Sequence, residues 1–142
     1  MSFTGAFICT SFKAELLQGI HNTAVAGDTF KIALYTSSAS LTAATTVYSA
    51  TNETSGTGYV AGGIALTNVT PLTSGTTAYG QWASPTFITV TLTCRGALIY
   101  NSSKANRACV VLDFGSDKSP AATNFTINMP TFAAGTALIQ FN

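Results

Sequence analysis

From Thr86 to Cys94 apolar and hydroxyl side chains alternate: Ile88, Val90, Leu92 and Cys94 fall in one phase, Thr89, Thr91 and Thr93 in the other. A period of two belongs to an extended strand, whose successive side chains point to opposite faces. Threonine suits the wet face, because it is a good strand former with a hydroxyl that tolerates water. The pattern predicts a strand over 86–94 with Ile88, Val90, Leu92 and Cys94 turned inward. Phe30–Tyr35 repeats the alternation, with Phe30, Ile32 and Leu34 inward. A weaker strand over Tyr59–Thr67 is interrupted at Gly62-Gly63, the position of a bulge or bend. Gly96–Tyr100 and Ala108–Phe114 flank the polar loop Asn101–Arg107 and read as a hairpin. With the loop centred near Lys104, paired residues have numbers summing to about 208. That register sets Arg95 opposite Asp113 as a cross-strand ion pair. It also holds Cys94 and Cys109 about 16 Å apart along the strand, too far for a disulfide. Phe125, Ile127 and Met129 mark another strand, and Ala137–Phe141 the last.

One segment carries the helical period. Phe12, Leu16 and Ile20 lie on one stripe with Leu17 beside it, Ser11 is placed to cap the start, and Gly19 to stop the end. Leu41–Thr45 reads as a second, short helical turn. Short strands punctuated by Gly, Ser and Asn define a mainly β fold, a β-sandwich of jelly-roll type with a short N-terminal helix. Residues 1–142 form one domain, with an arm and the helix over about residues 1–22.

Charge is scarce. Asp, Glu, Lys and Arg make up 8% of the chain, against roughly 25% in an ordinary soluble domain. Thr, Ser, Asn and Gly must face water instead. Such a surface repels neighbours weakly and suits a protein held in a dense assembly. The mean hydropathy is +0.34, yet no apolar run approaches the ~18 residues of a membrane span. The excess apolar surface goes into the core or into contacts between chains. Lys13, Lys31, Arg95, Lys104, Arg107 and Lys118 are scattered, and the net charge is +1. Nucleic acid needs clustered cations, so it is not an expected partner, and neither is a membrane. Phe3–Phe12 lacks the basic flank of a secretory signal, so a reducing cytoplasm is the expected site of folding. Cys9, Cys94 and Cys109 cannot all pair and read as free buried thiols.

Little in the chain points to catalysis. A triad needs a base held by an acid beside a nucleophile. The single histidine, His21, sits where a cation complements a helix C-terminus at the surface. Glu15, Asp28, Glu53, Asp113 and Asp117 are dispersed; Asp28 and Asp117 lie in turn sequences. One His and three scattered Cys have no metal-ligand spacing. The glycine-rich run Gly56–Gly63 is neither a dinucleotide fingerprint nor a P-loop. No enzyme activity, cofactor or metal is expected. Tyr35, Tyr48, Tyr59, Tyr79, Trp82 and Tyr100 remain as binding aromatics, with Tyr79–Trp82 a loop platform for sugar or, in preference, for protein.

Five segments occur in a telling order: Ser11–Asn22 (SFKAELLQGIHN), Phe30–Tyr35 (FKIALY), Gly56–Gly63 (GTGYVAGG), Arg95–Asn101 (RGALIYN) and Val111–Lys118 (VLDFGSDK). Together they resemble a family of small virion structural proteins of tailed bacteriophages, over nearly the whole chain. One feature departs: where the family pattern has an acidic residue before the central Trp, Gln81 precedes Trp82 here. The resemblance implies a virion component assembled in the bacterial cytoplasm, with no catalytic residue. The role expected is a head decoration or cement protein, whose partners are the major capsid protein and further copies of itself, as trimers for instance. A tail or connector component, or a receptor- or glycan-binding tail module, is the alternative. Candidate contact residues are Phe3, Phe7 and Ile8 of the apolar arm, with Tyr59, Tyr79 and Trp82. The arm either contacts a partner or covers one end of its own core.

Overall fold

The computed structural model describes residues 6–142; Phe3 lies outside them. The chain is mainly β, with 40% of residues in strands and 6% in helix. In order the elements are β1 (Phe7–Ile8), α1 (Thr10–Leu17), β2 (Phe30–Tyr35), β3 (Ile64–Ala65), β4 (Leu72–Ser74), β5 (Thr77–Gly80), β6 (Thr86–Val90), β7 (Cys94–Asn101), β8 (Arg107–Lys118), β9 (Thr123–Thr126) and β10 (Ile139–Phe141). All ladders are antiparallel. They form a five-stranded sheet ordered β1-β8-β7-β2-β3, a three-stranded sheet β10-β5-β4, and the pair β6-β9. This division is compatible with a sandwich.

The centre of the large sheet is the β7–β8 hairpin with β2 alongside. β2 is buried on both faces, so Ala33 and Tyr35 join Phe30, Ile32 and Leu34 in the core, and the one-sided alternation expected there does not hold. Burying each such large apolar side chain contributes about 1.5–3 kcal/mol. The hairpin pairs Asn101 with Arg107 and Tyr100 with Ala108, both at the expected sum, then steps by one so that Ile99 faces Val110. Cys109 is the extra residue. Its carbonyl turns to the other side and accepts the Cys9 N–H at 2.8 Å, which ties the start of α1 to β8. A larger excursion follows Asp113. Residues 114–117 stand opposite Arg95 alone, and Gly115 donates its N–H to Asp113 Oδ1 at 2.8 Å.

The start of the helix is corrected. Cys9, not Ser11, holds the N-cap position; Ser11 lies inside the first turn, its buried hydroxyl without a hydrogen-bond partner. The stop at Gly19 is as expected: its φ of +72° lets the chain leave the helix left-handed. Leu41–Thr45 closes as one turn, with the Thr45 N–H on the Thr42 carbonyl and the Thr42 N–H on Thr45 Oγ1.

The largest correction concerns 86–94. Thr89 has φ +46°, and the ladder to β9 slips between Phe87 and Val90. This bulge shifts the phase of the residues before it, so Phe87 points inward in place of Ile88, which is 64% exposed, while Val90, Leu92 and Cys94 are buried as expected. The strand ends at Val90, and Cys94 already begins β7. The expected strand over Tyr59–Thr67 shrinks to Ile64–Ala65, because Gly62 and Gly63 both take positive φ.

Candidate functional site

Two internal polar networks and one apolar cleft concentrate the chemistry of the molecule. The first network begins at His21, whose side chain is fully buried. The surface position expected for it is therefore not where the fold puts it. The Gly19 turn folds the segment after α1 back along the helix, with the Ile20 N–H on the Glu15 carbonyl. His21 Nε2 then meets Glu15 Oε2 at 2.6 Å, and Arg107 Nη1 meets Glu15 Oε1 at 2.8 Å. Asn101, fully buried, joins the other side of the ring. Its Oδ1 accepts the Ser103 N–H, which assigns Nδ2 as the group facing His21 Nδ1 at 2.9 Å and Asp28 Oδ2 at 2.8 Å. Nδ1 therefore accepts and Nε2 donates to Glu15. Lys104 Nζ closes the network 3.8 Å from Asp28.

Burial alone would raise the Glu15 carboxyl; hydrogen bonds from His21 and Arg107 outweigh it and hold the group below its ordinary value. Asp28 behaves alike, with burial opposed by the Asn22 N–H and by Asn101 and Lys104. Both ring nitrogens of His21 are engaged internally, so the base of a triad is not presented to any substrate.

The second network centres on Glu53. Its carboxylate accepts the hydroxyls of Tyr48 (2.6 Å) and Tyr59 (2.5 Å) and the Gly62 N–H (2.7 Å). The Tyr59 oxygen also accepts the Leu34 N–H at 2.9 Å, and Tyr100 donates to the Gly62 carbonyl at 2.7 Å. Burial first, then the neighbouring Glu53, pushes the Tyr59 and Tyr48 hydroxyls above their ordinary range. Tyr59 is thus a strut between β2 and the glycine-rich loop rather than a contact residue. Its ring stacks 5.8 Å from Phe87.

The cleft separates the small sheet β10-β5-β4 from the end of α1. It has a volume of about 230 Å³ and is lined by Leu16, Pro71, Tyr79, Trp82, Ile139 and Phe141 among others, none of them charged. Trp82 is 1% exposed and packs 5.0 Å from Phe30, so Tyr79–Trp82 is not an exposed loop platform. Tyr79 sits in β5, half-buried, edge-on to Phe132 at 5.1 Å.

Phe7 and Ile8 are half-buried in β1, opposite Val111 and Val110, and Ile8 packs on the core. Arg95 Nε lies 3.5 Å from Asp113 Oδ1, and Arg95 Nη1 3.9 Å from Asp117. That Nε–H is buried without an aligned acceptor, so the pair is a charge contact rather than a hydrogen bond. All three cysteines are free and buried.

The first network was not readable in the chain, since Asn101 and Arg107 stand 80 and 92 positions from His21 and Glu15; the second is local, with Tyr48, Tyr59 and Gly62 within nine positions of Glu53, but no periodicity marks it. Among the described residues no cluster of three or more His, Cys, Asp or Glu is placed to hold a metal, and no helix is long and apolar enough to cross a membrane. Compared with protein-family models, with curated proteins and with solved structures, the chain matches none.

Proposed function

We propose that this chain is a virion structural protein of a tailed bacteriophage, a head decoration or cement protein that binds the outside of the shell and bridges neighbouring major capsid proteins. The observation that carries the reading is where the few charges go. Every carboxylate has an internal partner: Glu15 has Arg107 and His21, Asp28 has Lys104, Asp113 and Asp117 share Arg95, and Glu53 has its tyrosines. Among the described residues only the cations Lys13, Lys31 and Lys118 are left outside ion pairs. What faces outward is mainly hydroxyl and small apolar groups, which pack against a protein wall with little charge to desolvate. The ordered segments that resemble phage virion proteins point the same way. A protein that binds only the expanded shell stabilises it by mass action, and many copies multiply a modest contact.

Copy number tests the reading. Labelled chain is mixed with purified heads of the phage that encodes it, stripped of the native protein, and bound copies are counted after sedimentation. Hundreds per head are expected. About six or twelve, at the vertex or tail, overturns the decoration role in favour of a connector or tail component. The burial of Trp82 leaves Tyr79 as the accessible aromatic of the Tyr79–Trp82 segment, which weighs against a glycan-binding role.

A further inference from the structure

We infer that the apolar cleft between β10-β5-β4 and α1 receives the N-terminal segment of a second copy, with Phe3 as the inserted side chain. The cleft is lined almost wholly by apolar groups, at about 230 Å³; a buried apolar cavity of about 150 Å³ already takes a benzene ring. Phe141 in its lining and Leu72, the strand partner of Tyr79, are 48% and 46% exposed. The segment Met1-Ser2-Phe3-Thr4-Gly5-Ala6 has no ionisable side chain and one aromatic, with small residues around it. An uncharged cleft and an uncharged segment meet without desolvating a charge.

Chain direction decides that the donor is another copy. β1 runs antiparallel to β8, Phe7 facing Val111 and Ile8 facing Val110. Followed backwards from Phe7, the chain heads towards Leu112 and away from the Asn101–Arg107 loop. The cleft lies at the loop end: Glu15, beside Leu16, bonds Arg107, and Trp82 packs on Phe30, which pairs with Asn101. From Ala6 to Phe3 the chain spans about 10 Å at most, less than the distance of about 13 Å from Val111 back to Arg107. With β1 at one end of β8 and the cleft at the other, insertion from a second copy is a head-to-tail contact, which closes into a ring or continues as an array. So short a segment binds weakly alone and gains strength by repetition.

Trp82 is the chain's single tryptophan and lines the cleft, so its emission reports occupancy. A synthetic Met1–Phe7 peptide is titrated into the chain lacking residues 1–5, and the sedimentation of the full chain is followed up to about millimolar concentration. The peptide is expected to shift Trp82 emission saturably, and a peptide carrying Phe3→Ser to bind at least tenfold more weakly. The full chain is expected to self-associate, and both the truncated chain and the cleft-filling Ala78→Phe variant to lose that association. Ala78→Phe carries the test if the truncated chain does not fold. An unchanged emission with the peptide, or undiminished association in Ala78→Phe, overturns the inference. The readout is self-association rather than head binding, so this inference and the capsid reading fail separately.

Discussion

His21 Nε2 lies 2.6 Å from Glu15 Oε2, with the imidazole sealed from water between a helix and the β7–β8 hairpin. The pair fastens α1 to the sheet through Arg107 and Asn101. Glu15→Gln leaves the buried ring and the guanidinium without their carboxylate. Charged hydrogen bonds of this kind are worth about 1.5–3 kcal/mol, so the variant is expected to melt about 10 °C lower at pH 7. Calorimetry of both proteins checks this; a change under 2 °C would sink the claim that the network fastens the helix.

The same carboxylates set a pH dependence. Glu15 and Asp28 are held below their ordinary values in the folded state. Their contribution is therefore complete above the unfolded values of about 4.3 and 3.9, and is lost as pH falls through the lower folded values. Stability from these groups is expected to be flat between pH 7 and 5 and to fall below about pH 4. The deficit of Glu15→Gln shrinks over that acid range. Urea midpoints at stepped pH measure both effects.

Tyr59→Phe removes a hydroxyl that serves two partners at once, accepting from Leu34 and donating to Glu53. A buried N–H is orphaned, at a cost of about 1–3 kcal/mol. Tyr48→Phe leaves no backbone group unpaired and is expected to cost less than half as much. The urea midpoint should move in both variants with the slope unchanged.

Two left-handed positions predict opposite signs. Gly63 has φ +74°, and an added Cβ would stand 1.7 Å from the Ile32 carbonyl oxygen. Gly63→Ala must break the β2–β3 contact and is expected to lose more than about 3 kcal/mol. Thr89 holds φ +46° with a branched side chain. Thr89→Gly relieves that strain and is expected to gain about 0.5–1 kcal/mol. Chemical denaturation of the two variants reads the signs directly.

Burial raises the thiols of Cys9 to about 11 and of Cys94 to about 12, and pushes Cys109 up as well. At pH 8 a disulfide reagent is expected to label none of them in the folded protein and all three in guanidinium. Fast labelling of any one in the native state would contradict the packing described.

Local patterns carried the parts of the fold that depend on neighbours in the chain. The hairpin was legible because Gly96–Tyr100 and Ala108–Phe114 are close in sequence; the bulge at Cys109 displaced its register by one residue, so that Gly96 rather than Arg95 stands opposite Asp113, and a second, larger shift follows Asp113. The Gly19 stop needed nothing but the residue itself. In 86–94 alternation placed Val90, Leu92 and Cys94 correctly but misplaced Ile88, because alternation cannot reveal a bulge: one left-handed residue, Thr89, shifts the phase before it while the composition still reads as a strand. His21 looked superficial because its partners arrive from the far side of the hairpin. Trp82 looked exposed because the residues that bury it come from distant segments, Phe30 above all.

With its carboxylates turned to internal partners, this molecule presents almost nothing that calcium or magnesium could bridge. Assemblies made from it should be indifferent to chelators, and a salt jump should tighten rather than loosen them. A coat built in this way would hold through dilution and osmotic shock, conditions that strip particles cemented by divalent ions.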